Sequence, residues 1–245
     1  MARIGTYKLQ VGEKEVPLDI YKERRASVRI SIGKKSLILR VPSMVPHDML
    51  QQHIDWAQKW IAKQLHKNPT ILDRFILKVY EDGDLIHITD KTYQLRIREE
   101  HRKTNSGEVL DETLLLKLCR GLTPDQKQTV ISKLIRRLVA IDRTPDVSER
   151  ILQLNDQYFQ KPIKDVKLKY NTSNWGSCSS SSNINISTRL LLAPREVQDY
   201  VFIHELAHLE EMNHSPRFWK IVSDVMPDYM EKEEWLKKNG HLCRL

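Results

Sequence analysis

A chain of 245 residues and 28.9 kDa is long enough to bury a full core, as one domain or as two small ones. With 40% hydrophobic and 29% charged residues it has no run near the ~18 consecutive apolar residues of a spanning helix, and its amino terminus lacks a secretory apolar stretch, so an intracellular, cytoplasmic protein is expected. The net charge is +8, and residues 1–40 hold ten Lys/Arg against four Asp/Glu, which fits either a solvated sheet face or a surface that meets a nucleotide or nucleic acid.

In chain order, residues 21–42 read as a hairpin. Val28, Ile30 and Ile32 alternate with Arg29 and Ser31, Gly33-Lys34 supplies a turn, and Leu37, Leu39 and Val41 alternate on the return. Pro46 opens a helix over 46–66 with Leu50, Ile54, Ala57, Ile61 and Leu65 as its apolar stripe, and with Trp56 and Trp60 packing beside it. Phe75, Leu77 and Val79 predict a strand, Asp82-Gly83 a tight turn, and Leu85, Ile86 and Ile88 the return. Tyr93, Leu95 and Ile97 predict a third strand, Glu99–Gly107 a polar loop and Leu110–Cys119 a further strand; a boundary near residue 120 follows from the loss of strand character there. Thr123-Pro124 caps a helix carrying Val130, Leu134, Leu138 and Ile141, and a second helix is expected over about Val147–Phe159. Val166, Leu168 and Tyr170, then Ile184, Ile186 and Thr188, predict a strand pair flanking the polar loop Asn171–Asn183.

Pro194 opens the helix that carries the chemistry. His204, Glu205 and His208 spell H-E-x-x-H, and at helical spacing the two imidazoles point the same way and can share one ion. They extend the apolar side set by Val197 and Val201, where two buried imidazoles are costly without a partner. His214 lies ten residues beyond His204, so the chain must turn after Leu209; Asn213 is the expected left-handed residue at that turn, and Ser215-Pro216 caps the next helix. Three histidines leave a fourth coordination position to water, with Glu205 placed to take its proton. Glu210 and Glu211 are candidate acceptors for the outer imidazole nitrogens. Cys119, Cys178 and Cys243, odd in number and widely spaced, make no disulfide framework and no Cys-x-x-Cys pair; Cys178 is expected to be a buried structural thiol.

The chain resembles the YgjP-like metallopeptidase-domain family, formerly a domain of unknown function, which is related to the SprT-like and WLM zinc peptidases. The marks are RRASVRI at Arg24–Ile30, LILRVP at Leu37–Pro42, HIDWAQKWIAKQL at His53–Leu65, WGSCS at Trp175–Ser179, HELAHLEEMNHSPRFW at His204–Trp219, MPDY at Met226–Tyr229 and WLKKNG at Trp235–Gly240. The resemblance implies that His204, His208 and His214 bind Zn2+ and that Glu205 is the catalytic base. It also implies that Trp175, Gly176, Ser177, Cys178 and Ser179 lie beside the site. The chain departs from the family pattern with Asn174 where a basic residue is usual, and with Ser187-Thr188-Arg189 where Asn-Trp-Arg is usual, which bears on substrate selection. Arg189 and Tyr229 are candidates for stabilising an oxyanion, and spacing does not choose between them.

The expected fold is α+β: a sheet-rich amino-terminal part, 1–120, with the helix 46–66, then a zincin-like metal-binding catalytic part, 121–245, with the H-E-x-x-H helix and a small sheet. The expected function is a zinc-dependent metallohydrolase, foremost a peptidase acting on an extended polypeptide. Two other readings use the same residues. One is a zinc-dependent hydrolase of nucleoside triphosphates; the other is a nucleic-acid-associated module whose metal is structural.

Overall fold

The computed structural model describes residues 2–12, 14–33, 36–67, 72 and 78–245, and the chain divides into two compact units, 1–77 and 78–245. Among the described residues no helix is long and apolar enough to cross a membrane.

The first unit is a sheet with one helix on its face. Strands β1 (Ala2–Val11), β2 (Lys14–Glu23), β3 (Arg29–Ile32) and β4 (Leu37–Pro42) lie in the order β1-β2-β4-β3, with β2 and β4 parallel and the other pairs antiparallel. The β3–β4 hairpin agrees with its expected place; Lys34, in its turn, lies outside the described residues. The β1–β2 hairpin was not expected. Its alternation (Leu9 and Val11 against Val16, Leu18 and Ile20) buries one face, and Gly12 takes the positive φ of 62° at the turn. That face meets helix α1 (His47–Lys67), which inserts Leu50, Ile54, Ala57 and Ile61 as expected. Trp60 packs against this core, whereas Trp56 is 43% exposed. Arg3 pairs with Asp19 at 2.5 Å, Lys8 with Glu15 at 2.7 Å and Arg40 with Glu23 at 3.1 Å, and the excess of positive charge in residues 1–40 remains.

The second unit holds two sheets around a long helix. Strands β5 (Leu85–Ile88), β6 (Lys91–Glu100), β7 (Ser106–Leu110) and β8 (Thr113–Cys119) lie in the order β5-β6-β8-β7, again with a parallel central pair. The strand expected at Phe75–Val79 has Phe75 and Leu77 outside the described residues, and Val79 is irregular and exposed. The expected polar loop shrinks to 101–105, and Leu110 closes β7 rather than opening a strand. Helix α2 (Pro124–Tyr158) is one 35-residue helix where two were expected. Pro145 denies Ile141 its hydrogen bond at a cost of roughly 3 kcal/mol. Burial on both sides of it offsets that cost, through Leu134 and Leu138 before and Val147, Ile151 and Leu154 after. The Thr144 hydroxyl also donates to the Ala140 carbonyl at 2.6 Å. Because β5–β8 share one apolar core with α2, the boundary expected near residue 120 falls inside this second unit.

Strands β9 (Asp165–Lys169), β10 (Gly176–Cys178) and β11 (Asn183–Ser187) form the second sheet in the order β10-β11-β9. The expected pair β9 and β11 is parallel, and the segment read as a loop contributes β10 as an antiparallel edge strand. A short 3-10 helix, Thr188–Leu192, leads to α3 (Arg195–Ala207), followed by α4 (Pro216–Val225) and α5 (Tyr229–Asn239). Ser215 caps α4 as expected, accepting from the Phe218 N–H at 3.3 Å. Asn213 does not take a left-handed conformation. The chain leaves α3 through right-handed turns, with Leu209 N–H bonded to the Leu206 carbonyl and Glu210 N–H to that of Ala207.

Candidate active site

Helix α3 presents His204 and Glu205 near its end, and His208 occupies the position that closes it. The turn that follows returns His214 to the same spot. Nε2 of His204 and Nε2 of His214 stand 3.0 Å apart, and the three rings have centroid separations of 5.1, 5.0 and 4.8 Å. The ligating atoms available on the three histidines lie within 4.8 Å of one another. Nitrogens each about 2.0–2.1 Å from one tetrahedral ion would stand about 3.3 Å apart, so the trio fits a metal. The Nδ1–H of His208 donates to the Glu211 carbonyl at 3.0 Å, which leaves its Nε2 free to ligate. The carboxylates of Glu210 and Glu211, expected as outer acceptors, do not serve the imidazoles: the Glu211 contact is through its main chain, and Glu210 lies 3.9 Å from Lys161. Phe218, fully buried, forms the floor, with its ring 4.5–4.9 Å from all three imidazoles.

Burial dominates the electrostatics. It pushes His204 down to about 3, with His208 and His214 adding to the effect, and it also lowers His208. Both are therefore neutral, as a metal ligand must be. Burial pushes Glu205 up to about 8, and the main-chain N–H of Cys178 opposes it. His204 Nδ1 and Glu205 Oε2 are buried with no hydrogen-bond partner. Leaving such atoms unpaired costs about 1–3 kcal/mol each. A cation with its water beside Glu205 Oε2 removes part of that cost, a second sign that the residues suit a metal, whereas His204 Nδ1 lies on the side of the ring away from the site.

The histidines open into a cleft of about 560 Å³. One wall is β10 with the residues before it. Trp175, Gly176, Ser177 and Cys178 line it, while Ser179 lies beyond it. Gly176 touches Glu205 so closely that a Cβ there would sit 2.5 Å from Oε1. Trp175 C=O and Ser179 N–H bond to β11, so the alternate main-chain groups, on Gly176 and Cys178, face outward. The opposite wall comes from α5, with Glu233, Leu236 and Lys237, and Met212 stands on the loop before His214. Lys237 is the one Lys or Arg among the lining residues, and it pairs with Glu233 at 2.8 Å.

Two candidates sit elsewhere. The Arg189 guanidinium donates to the carbonyls of Cys243, Thr172 and Gly240 at 3.0, 3.3 and 2.8 Å and lies 4.3 Å over the Trp175 ring. Its donors are thus committed to the main chain, and it braces the cleft instead of reaching into it. Tyr229 stacks between Trp219 and Tyr200 and does not line the cleft. Tyr200 does line it, one helical turn before His204, and burial raises its phenol so that it stays protonated. That one-turn spacing was a usable signal; the α5 residues offered none. Cys178 is not part of the ligand cluster, and burial, with the nearby Glu205, pushes its thiol up to about 11.

Residues 24–239 match the family described as YgjP-like, metallopeptidase domain. None of the curated proteins matches the chain. Solved structures similar over part of it include two metallopeptidase zymogens. The metallopeptidase zymogen of Pyrococcus abyssi abylysin is 29% identical over 36% of this chain and 89% of that one, with a TM-score of 0.33. The metallopeptidase zymogen of Methanocaldococcus jannaschii jannalysin is 16% identical over 36% of this chain and 90% of that one, with a TM-score of 0.32.

Proposed function

The chain belongs to the YgjP-like metallopeptidase-domain family, a class of hydrolase, and from that premise we propose that it is a zinc peptidase in which His204, His208 and His214 hold the ion and Glu205 is the general base. One observation carries the reading: three imidazole nitrogens converge within 4.8 Å beside a buried carboxylate whose Oε2 has no partner. Zinc bound there supplies a Lewis acid that polarises the scissile carbonyl and makes water a nucleophile at neutral pH.

The remaining work falls to the chain. Glu205, whose raised pKa the positive charge of a bound ion would bring back down, accepts the proton of the attacking water and returns it to the leaving amine. With the Cys178 N–H on Glu205 and the Gly176 carbonyl on the Asn174 amide at 2.9 Å, the Gly176 N–H and the Cys178 carbonyl are the outward groups of β10 left to pair with an extended substrate, which joins the sheet as one more strand. Main-chain pairing of this kind favours a polypeptide, and it is indifferent to most side chains. A nucleoside triphosphate would need several free cations, whereas the lining offers Lys237 alone, already paired with Glu233. Tyr200, protonated within the cleft, is the hydroxyl we assign to the developing oxyanion in place of Arg189 and Tyr229.

The test is a screen of zinc-loaded protein against peptide libraries and nucleoside triphosphates, with Glu205→Gln alongside. Peptide cleavage that disappears in Glu205→Gln while zinc stays bound is the expected result. Hydrolysis of triphosphates alone would sink the peptidase reading, and undiminished cleavage by Glu205→Gln would remove that residue as the base.

A further inference from the structure

The three imidazoles are not held alike. His204 is fixed by helix α3, and His208 by its Nδ1–H bond to the Glu211 carbonyl. His214 comes from the turn before α4, is exposed, and has no hydrogen bond among the described residues except the contact with His204 Nε2 that faces the site. A ligating imidazole usually has its orientation set by an acceptor on its second nitrogen. At His214 two rings take that place. Phe218 meets it edge-on at 4.8 Å and 77°, and Trp219 lies nearly parallel to it at 5.8 Å and 27°.

Trp219 is itself supported. Its ring stacks on Tyr229 at 5.4 Å and 19°, and Tyr229 stacks on Tyr200 at 6.4 Å and 21°. Tyr200 closes the circuit by meeting His204 edge-on at 6.0 Å. A column of rings thus runs from α3 through α5 to α4 and ends against His214. Ring separations of this size lie within the range in which aromatic pairs attract beyond simple burial.

We propose that Trp219 is a positioning residue that fixes the His214 imidazole for metal binding, with Tyr229 and Tyr200 as its backing. The inference rests on the three-histidine metal site proposed above. Stacking does here what a hydrogen bond does at His208, and it suits an exposed position where a hydrogen-bond acceptor would compete with water. The sequence carries the device as His214 and Trp219, five residues apart across the Ser215 cap.

The test needs no substrate. Zinc affinity is measured by competition with a chromogenic chelator, and ligand geometry by the visible spectrum of the cobalt(II)-loaded protein, for wild type, Trp219→Leu, Trp219→Phe and Tyr229→Leu. Trp219→Leu is expected to weaken zinc binding by roughly 10–100-fold and to alter the cobalt spectrum. Trp219→Phe restores both, because a ring of the same orientation remains. Tyr229→Leu, which leaves His214 untouched, shows a smaller loss in the same direction. Wild-type affinity and spectrum in Trp219→Leu would overturn the inference, as would a Trp219→Phe as weak as Trp219→Leu. Should Trp219→Leu fail to fold in thermal melts of the metal-free protein, Tyr229→Leu decides, and an unchanged affinity there overturns the proposal. Wild-type protein that binds neither ion would sink the metal site itself, an outcome distinct from tight binding that ignores Trp219.

Discussion

Gly176→Ala isolates the contact between the edge strand and the base. A Cβ at position 176 would lie 2.5 Å from Glu205 Oε1, 2.6 Å from its Cγ and 2.7 Å from its Cδ, where ordinary contact begins at 3.4 Å. Either the carboxylate or β10 must therefore retreat by about 1 Å, and a misplacement of that size at a reacting group costs on the order of 100-fold in rate. Glu205 has little room to retreat, since it is 5% exposed and packed in the helix beneath. The backbone at Gly176 does not have a positive φ, so alanine brings no conformational strain there, and the overpacking itself should cost about 1–3 kcal/mol. The assay compares kcat/KM on a cleaved peptide with zinc affinity and the thermal midpoint of the same preparation. A loss of kcat/KM well beyond what a modest fall in the midpoint explains, with zinc affinity retained, is expected. Full activity in Gly176→Ala would refute the close approach, and a collapse of zinc affinity would show that the methyl group disturbs the ligands rather than the base.

Other consequences can be measured in parallel. Glu205 titrates near 4.5 in an unfolded chain and at about 8 in the fold, so its contribution to the metal-free protein is complete below 4.5 and is lost as pH rises through 8. Urea melts of metal-free wild type and Glu205→Gln should diverge in that window, the variant losing less stability, and parallel curves would refute the burial argument. His204 has the opposite sign: lowered from 6.5 to about 3, it supports the metal-free fold above 6.5 and withdraws that support as pH falls through 3. A His204→Gln variant should therefore lose less stability on acidification than wild type. Arg189→Met removes three hydrogen bonds to carbonyls and the stack on Trp175, a loss of roughly 2–4 kcal/mol. Denaturant unfolding should show it while zinc affinity stays at the wild-type level, and a fall in zinc affinity would contradict the bracing role. Ser215→Ala deletes the cap of α4 and should cost about 1 kcal/mol by the same measurement.

The parts legible in the sequence were those where residue identity carries the chemistry or the period. His204, Glu205 and His208 announce themselves by type and spacing, Ser215-Pro216 by its capping chemistry, and α1 by Leu50, Ile54, Ala57 and Ile61. The β1–β2 hairpin was legible in principle, since Leu9 and Val11 alternate into Val16, Leu18 and Ile20 across Gly12. What escaped was decided by contacts distant in sequence. Pro145 reads locally as a helix stop, and only the core shared by Val147, Ile151 and Leu154 with Leu138 keeps α2 continuous. β10 is three residues in a stretch of serines and asparagines, a strand because β11 pairs with it. Arg189 looked like a charge available for catalysis until the carbonyls of Thr172, Gly240 and Cys243 claimed its donors.

Phe218 has a kinetic consequence. Its ring, fully buried, covers the rear of all three imidazoles and offers no lone pair or proton to an ion that is leaving them. A chelator of an ion held there as proposed would have no entry past that ring, and it would have to share the cleft with the substrate. If the three histidines hold an ion as proposed, an occupant lying along β10 would act as a stopper: it would slow the escape of the ion as well as compete for the reaction, and the half-life of metal loss would be a gauge of how well a ligand fills the cleft.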